Sequence, residues 1–289
     1  MMNSKKILFV IILAFLFSNT VFSQWTKGKG KGYYKLSAWY IVADQHYTDT
    51  GKTDPNITRS QFNISLYGEY GISNKFDIIS YIPFFSRAVE NDEISGTTGQ
   101  ILSKGEALNS FGDMELGVRY GIFKTKNYAL SATLKLGIPT GNSSGGSDGS
   151  FQTGDGEFNQ LIQTTLGTSF KLGTMPSYAK TYLGFNNRTK GFSDELRAGL
   201  EIGGNILKNK LWLIGRVNVL ESLKNGNLSA ENLQGSIFAN NIEYVSLGAE
   251  VAYYIKKNLG ISLNYTNPVS GKLTYSAPSI SGGIFLSVK

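Results

Sequence analysis

The chain offers little material for covalent chemistry. It contains no cysteine, which removes thiolate catalysis, thiolate metal sites, disulfides and lipid attachment to an N-terminal cysteine. Its single histidine, His46, is flanked by Asp44 and Asp49, the acidic company that a general base uses. No nucleophile can be paired with it from spacing. His46 is therefore read as a solvated residue at the start of a loop over 45–56, and the chain as a non-enzyme with no cofactor. A calcium site built from Asp148, Asp155 and Glu157 is the other candidate, but the spacing lacks an EF-hand pattern. The Gly/Ser-rich stretch 142–149 predicts instead a flexible external loop without metal.

The remaining charges follow a pattern of another kind. Glu69, Glu115, Arg119, Lys135, Arg197, Glu201, Arg216 and Glu250 each lie within a segment that alternates apolar and polar, always on the polar side. Phe62, Ile64, Leu66, Gly68, Tyr70 and Ile72 share one face, with Gln61, Asn63, Ser65, Tyr67 and Glu69 on the other. Val245, Leu247, Ala249, Val251, Tyr253 and Ile255 likewise oppose Ser246, Gly248 and Glu250. A two-residue period predicts strands. About twelve are read, over 32–44, 57–72, 76–86, 111–123, 128–139, 158–170, 178–189, 193–207, 210–221, 241–256, 259–267 and 276–288; most reach the roughly 9–11 residues of a tilted membrane strand. In 178–189, Lys180 and Asn186 interrupt the apolar face.

Connection lengths alternate. Short turns fall at 73–75, 125–127, 173–177, 208–209 and 257–258. Long loops fall at 45–56, 87–110, 140–157, 222–240 and 268–275, with one short exception near Gly191. Membrane barrels carry short periplasmic turns and longer external loops, whereas a soluble sandwich has no reason to sort its connections. Lys5-Lys6, the apolar run 7–17 and small residues before Gln24 read as a signal peptide over 1–23, too short for a membrane helix. Removing its two lysines takes the formal net charge from +7 to +5. The basic residues are scattered singly, so nucleic acid is not expected as a partner.

Hydrocarbon offers no water to backbone amides, so a chain crossing it with strands must close on itself. The expectation is an all-β fold, a closed antiparallel transmembrane β-barrel of about twelve strands over 24–289. It would sit in the outer membrane of a Gram-negative-type bacterium, with outer-membrane lipid and the barrel insertion machinery as partners. The eight charges named above would line the lumen. Aromatics near strand ends, among them Tyr33, Tyr34, Tyr40, Tyr70, Phe123, Tyr178, Tyr253 and Tyr254, would form interfacial girdles. Loop 87–110 is read as exposed, with inward folding as a constriction the alternative. If 208–209 is a two-residue turn, Leu200 faces Val217 and Glu201 falls opposite Arg216, a favourable cross-strand pair.

Three stretches carry a resemblance. Phe111-Gly112-Asp113-Met114-Glu115-Leu116-Gly117-Val118-Arg119-Tyr120 is followed by Leu134-Lys135-Leu136-Gly137-Ile138-Pro139-Thr140-Gly141 and then by Thr153-Gly154-Asp155-Gly156-Glu157-Phe158-Asn159-Gln160. This resembles the outer-membrane family named for the meta-pathway of phenol degradation, a group of transporter-like barrels. It is best over 62–170 and fades toward the C-terminus. The resemblance implies a barrel that passes small organic compounds. The chain departs from many outer-membrane barrels in ending Phe285-Leu286-Ser287-Val288-Lys289, without a terminal aromatic residue for the insertion machinery. The functional expectation is a passive, porin-like pore or facilitator for small solutes, apolar or aromatic ones included. The alternative is a non-transporting barrel whose external loops bind a partner or support the envelope.

Overall fold

The computed structural model describes residues 26–147, 149–207, 210–228 and 236–289. The expected signal segment, the turn at 208–209 and Asp148 lie outside them. The chain opens with β1 (Gly32–Tyr47), β2 (Thr53–Gly71) and β3 (Phe76–Glu90), followed by the short β4 (Glu93–Ile94), β5 (Ile101–Ser103) and β6 (Ala107–Ser110). Nine long strands complete it: β7 (Met114–Lys124), β8 (Tyr128–Ile138), β9 (Asn159–Leu172), β10 (Met175–Asn187), β11 (Glu195–Ile206), β12 (Leu211–Ser222), β13 (Glu243–Tyr254), β14 (Leu259–Lys272) and β15 (Ser279–Val288). No helix occurs among the described residues.

Each long strand pairs antiparallel with its neighbours, and β1 pairs with β15 from Gly32↔Val288 to Ile41↔Ser279. Twelve long strands thus form a closed antiparallel barrel with no free edge. The short turns and the ends of β1 and β15 gather at one rim, and the long connections at the other. The register reasoned from the 208–209 turn is the one found, with Leu200↔Val217 and Glu201↔Arg216.

Burial is inverted relative to a soluble sheet. Leu36, Leu66, Ile78, Leu134, Leu183, Leu247 and Ile284 are exposed, while Ser65, Glu69, Ser131, Thr133, Glu201 and Glu250 are buried. Apolar side chains that water would otherwise bury meet lipid here, and the polar face turns inward. Phe76 and Tyr120 pack with ring centres 4.9 Å apart, tilted by 38°, on the outer surface near the short-turn rim, a place suited to interfacial rings.

Several boundaries differ from the sequence reading. β1 runs on to Tyr47 and β2 starts at Thr53, so the expected loop 45–56 is a tight hairpin and His46 lies in a strand, bridged to Tyr275. In β10, Lys180 and Asn186 do not interrupt the apolar face. They share the inward side with Tyr178 and Tyr182, leaving Leu183 and Phe185 outside. Three expected girdle residues, Tyr33, Tyr178 and Tyr254, also point inward and line a cavity. Alternation alone cannot say which of two ring-bearing faces meets lipid.

The expected strand 111–123 is found as β7 from Met114, and its first three residues separate it from β6. β6 pairs with β3 at Ser86 to Val89, β7 pairs with β3 at Phe76 to Tyr81, and Phe111-Gly112-Asp113 kinks between them. Pro83 stands opposite the kink; it has no N–H for a ladder, but its carbonyl accepts from Gly112 N at 2.8 Å.

Leu200 sits mid-strand on the outer face at 44 % exposure. Leu200→Arg is expected to destabilise the lipid-inserted barrel by about 2–4 kcal/mol. Urea unfolding from liposomes measures this, and a loss below about 1 kcal/mol would mean that this face does not meet hydrocarbon.

Candidate functional site: the charged lumen and its mouth

Two charge networks occupy the short-turn half of the lumen. In the first, Glu69 on β2 meets Lys27 at 2.8 Å and Arg119 at 3.0 Å, and accepts from the Tyr67 hydroxyl. Arg119 also reaches Asp77, at 3.4 Å, whose carboxylate accepts the Lys27 backbone N–H. In the second, Arg216 on β12 bridges two carboxylates, Glu201 Oε2 and Glu250 Oε2, both at 2.6 Å. The other oxygen of Glu201 takes Lys180 at 2.9 Å and the Tyr178 hydroxyl at 2.6 Å. The other oxygen of Glu250 takes Lys35 at 3.3 Å.

The result is an alternating row, Lys180–Glu201–Arg216–Glu250–Lys35, that crosses β10 to β13 and ends on β1. Buried charges persist only when paired and hydrogen-bonded, and each carboxylate here has at least two donors. Tyr178 and Tyr182 lie flat across Gly203 and Gly199 of β11, where a Cβ would collide with the rings. Those glycines let the tyrosine hydroxyls reach Glu201 and Asn218.

The other expected residues lie nearer the long-loop rim. Lys135 meets Glu115 at 3.1 Å, and Arg197 meets Glu195 at 2.7 Å. Beside them is Arg188, which the sequence reading did not single out. It is 5 % exposed and clasped by Asp155 at 2.8 Å, Glu157 at 2.7 Å and Glu195 at 2.9 Å. Phe192 lies 4.2 Å beneath its guanidinium, a cation–π contact. Asp155 and Glu157 therefore hold an arginine, and among the described residues no acidic or histidine group is arranged to hold a metal ion.

The three stretches that carry the family resemblance converge here. Asp113 accepts from Gly141 N and Asp155 N, both at 2.8 Å. Thr140 donates to Gly112 O at 2.7 Å and accepts from Met114 N at 3.2 Å. The Asp113 carboxylate occupies the space that a Cβ on residue 154 would need, so Gly154 is required there. Together they form a loop anchor.

The anchor holds loop 139–158 over the lumen. Gln152 is 4 % exposed, its carbonyl accepts from Gln61 of β2 at 3.1 Å, and Phe151 is buried beside it. The external loop expected over 142–149 is tethered at its base: Asp113 fixes the neck and Gly145 bridges to Phe151. Loop 87–110, by contrast, presents Ile94, Ile101 and Leu102 to solvent on the β4–β5 hairpin, and its base meets loop 139–158 where Glu106 accepts from Ser147 N and Leu108 lies against Gly145. The inward-folding element is the later loop.

Between these groups the lumen holds two chambers. The inner one, about 760 Å³, is lined by both charge networks with Tyr33, Tyr178 and Trp212. The outer one, about 440 Å³, has mixed walls, with Trp39, Ile41, Leu220, Tyr244 and Tyr275 among its apolar residues and Asp155, Arg188, Glu195 and Arg197 as its charged ones. Asn218 lines both.

No family model and no curated protein matches the sequence. Solved structures do match in fold. The COG4313 outer membrane channel from Pseudomonas putida F1 overlays with a TM-score of 0.59 at 11 % identity, over 93 % of this chain and 98 % of that one. The translocator domain of the autotransporter NalP from Neisseria meningitidis aligns at 0.49 and 10 % identity, over 99 % and 94 %. The KdgM porin in complex with disordered oligogalacturonate aligns at 0.45 and 9 % identity, over 88 % and 99 %. The fold is that of an outer-membrane β-barrel.

The pair Glu201–Arg216 alone would make both single losses equal, but Glu250 shares the arginine. Arg216→Gln is expected to cost about 2–3 kcal/mol, below the full penalty of a broken buried pair because Arg216 is 26 % exposed. Glu201→Gln should cost clearly less, and the triple Glu201→Gln, Arg216→Gln, Glu250→Gln less than Arg216→Gln alone. Urea unfolding of the set decides this, and equal losses for the two single variants would show that Glu250 takes no share.

Burial and the neighbouring Asp113 push the Asp155 carboxyl up to about 6 from 3.8, against the pull of Arg188. A raised carboxyl binds its proton more tightly in the docked loop than in the open one. Its contribution therefore stabilises docking below about pH 4 and is lost as pH rises through about 6. Hydrogen exchange over 139–158 should show more protection at pH 4.5 than at pH 7, and Asp155→Asn should remove the Asp155 share of that difference. An unchanged profile in Asp155→Asn would contradict the assignment.

Proposed function

We propose that this protein is a passive outer-membrane pore for small solutes, apolar or aromatic ones among them. One observation carries the reading: the charged side chains pair with one another and leave two chambers in the lumen, which share Asn218 as a lining residue. A barrel of about eight strands is filled by its own side chains, and one of 16–18 leaves a wide aqueous channel. Twelve strands with paired charges leave space of about 760 Å³ and 440 Å³, the volume range that holds a small organic molecule.

The outer chamber supports the apolar part of the solute range, since Trp39, Ile41, Leu220 and Tyr275 put rings and aliphatic side chains among its walls on the side where solutes would enter. The resemblance of 62–170 to the meta-pathway family and the fold shared with an outer membrane channel support the same reading. No energy source is built in, so flux follows the gradient. Refolded protein in a planar bilayer should give small, defined conductance steps, and proteoliposomes should swell in small organic solutes. Electrical silence together with no solute entry would overturn the reading.

A further inference from the structure

We propose that the inner chamber is an anion-selecting site, so that the pore favours small organic carboxylates with an apolar body over their cationic counterparts. The proposal rests on the pore reading and adds the solute class.

The argument starts from charge count and placement. The chamber is lined by five basic side chains, Lys27, Lys35, Arg119, Lys180 and Arg216, against the carboxylates of Glu69, Glu201 and Glu250. A fourth carboxylate, Asp77, is fully buried behind Arg119. Five cations against four carboxylates leave one positive charge in surplus. Its origin lies in the order of the row on β10 to β13 and β1, which begins and ends in lysine. The opposite wall, Lys27, Glu69, Arg119 and Asp77, balances to zero.

Hydrogen-bond capacity points the same way. Each carboxylate in the row divides its two oxygens, one to Arg216 and one to a terminal lysine, and Glu201 also accepts from Tyr178. Acceptor oxygens are therefore committed to the wall. An ammonium has three donors, and Lys35 meets Glu250 at 3.3 Å through one contact. The row thus presents a cationic side chain at each end, from which an arriving carboxylate can accept. In a narrow lumen walled by protein, a surplus charge on the lining biases which ions enter.

The rest of the solute is read from the neutral walls. Rings of Tyr33, Trp212, Tyr254 and Phe285 line the inner chamber between the charges, and Trp39, Ile41, Leu220 and Tyr275 lie among the walls of the outer chamber, which shares Asn218 with it. A compact ring bearing one carboxylate matches both: its body suits the outer walls and the rings, its charge the lysine-ended row.

The test uses the full-length barrel in bilayers and proteoliposomes, with benzoate, benzyl alcohol and benzylammonium as probes of one size and three charges. Wild type should show an anion-selective reversal potential in a KCl gradient and pass benzoate faster than benzylammonium. Lys35→Gln with Lys180→Gln turns the chamber's surplus of +1 into −1, while Arg216 still holds both carboxylates, so the barrel should retain its heat-modifiable gel migration. The reversal potential should then change sign and benzoate flux fall by about tenfold, with benzyl alcohol flux unchanged. Lys35→Arg with Lys180→Arg keeps the charge and should keep wild-type selectivity. A conducting wild type that is unselective or cation-selective would overturn the proposal, as would a double glutamine variant with unaltered reversal potential and flux ratio. A channel passing neither current nor any of the three probes would fail earlier, at the pore reading, and take the selectivity with it.

Discussion

Everything in this molecule follows from the absence of water around its backbone. An amide that crosses hydrocarbon must find its partner within the protein, and a sheet achieves that only by joining its first strand to its last. The ladder between β1 and β15 does this. Once it exists, each residue has two surroundings to choose from, lipid or lumen, and the strand pleat assigns them alternately. Leucine and isoleucine go to one side, and glutamate, arginine and serine to the other.

Closure also raises the stakes of every inward charge. A carboxylate on a soluble sheet faces bulk water and needs no partner, whereas in a lumen of this width it must be held. The response is to bridge neighbouring strands with arginine and tyrosine, as Arg216 does between Glu201 and Glu250. These bridges press the charged side chains toward the wall, and space remains between the walls because of it. Ion pairing and an open interior are thus one arrangement.

Much of this could be read from residue order. The alternation of apolar and polar positions placed the strands, the alternation of turn and loop lengths sorted the two rims, and the turn at 208–209 fixed the register that sets Glu201 against Arg216. Other features lay beyond that kind of reading. On β1, Trp39 and Ile41 are inward although apolar, because they line the outer chamber beside Leu220 and Tyr275; a two-residue period carries no sign for such a face. On β10, Lys180 looked like a flaw in an apolar stripe until its neighbours Tyr178 and Tyr182 proved to share its side. Arg188 could not be found at all, since its three carboxylates come from two separate segments and meet only when the loops fold back. The short Gly-Asp and Thr-Gly motifs were visible, but their purpose appeared only when Asp113 was seen to grip Gly141 and Asp155 together.

That grip has a consequence for how such a protein can change. Asp113 closes the neck of loop 139–158 as a drawstring closes a bag, so the register of β8 and β9 is set below the neck and not by the residues above it. Residues between 142 and 153 could be lengthened, shortened or recoloured without a slip travelling down β8 or β9. The roof of the barrel is free to drift toward new solutes while the wall that keeps it in the membrane stays as it is.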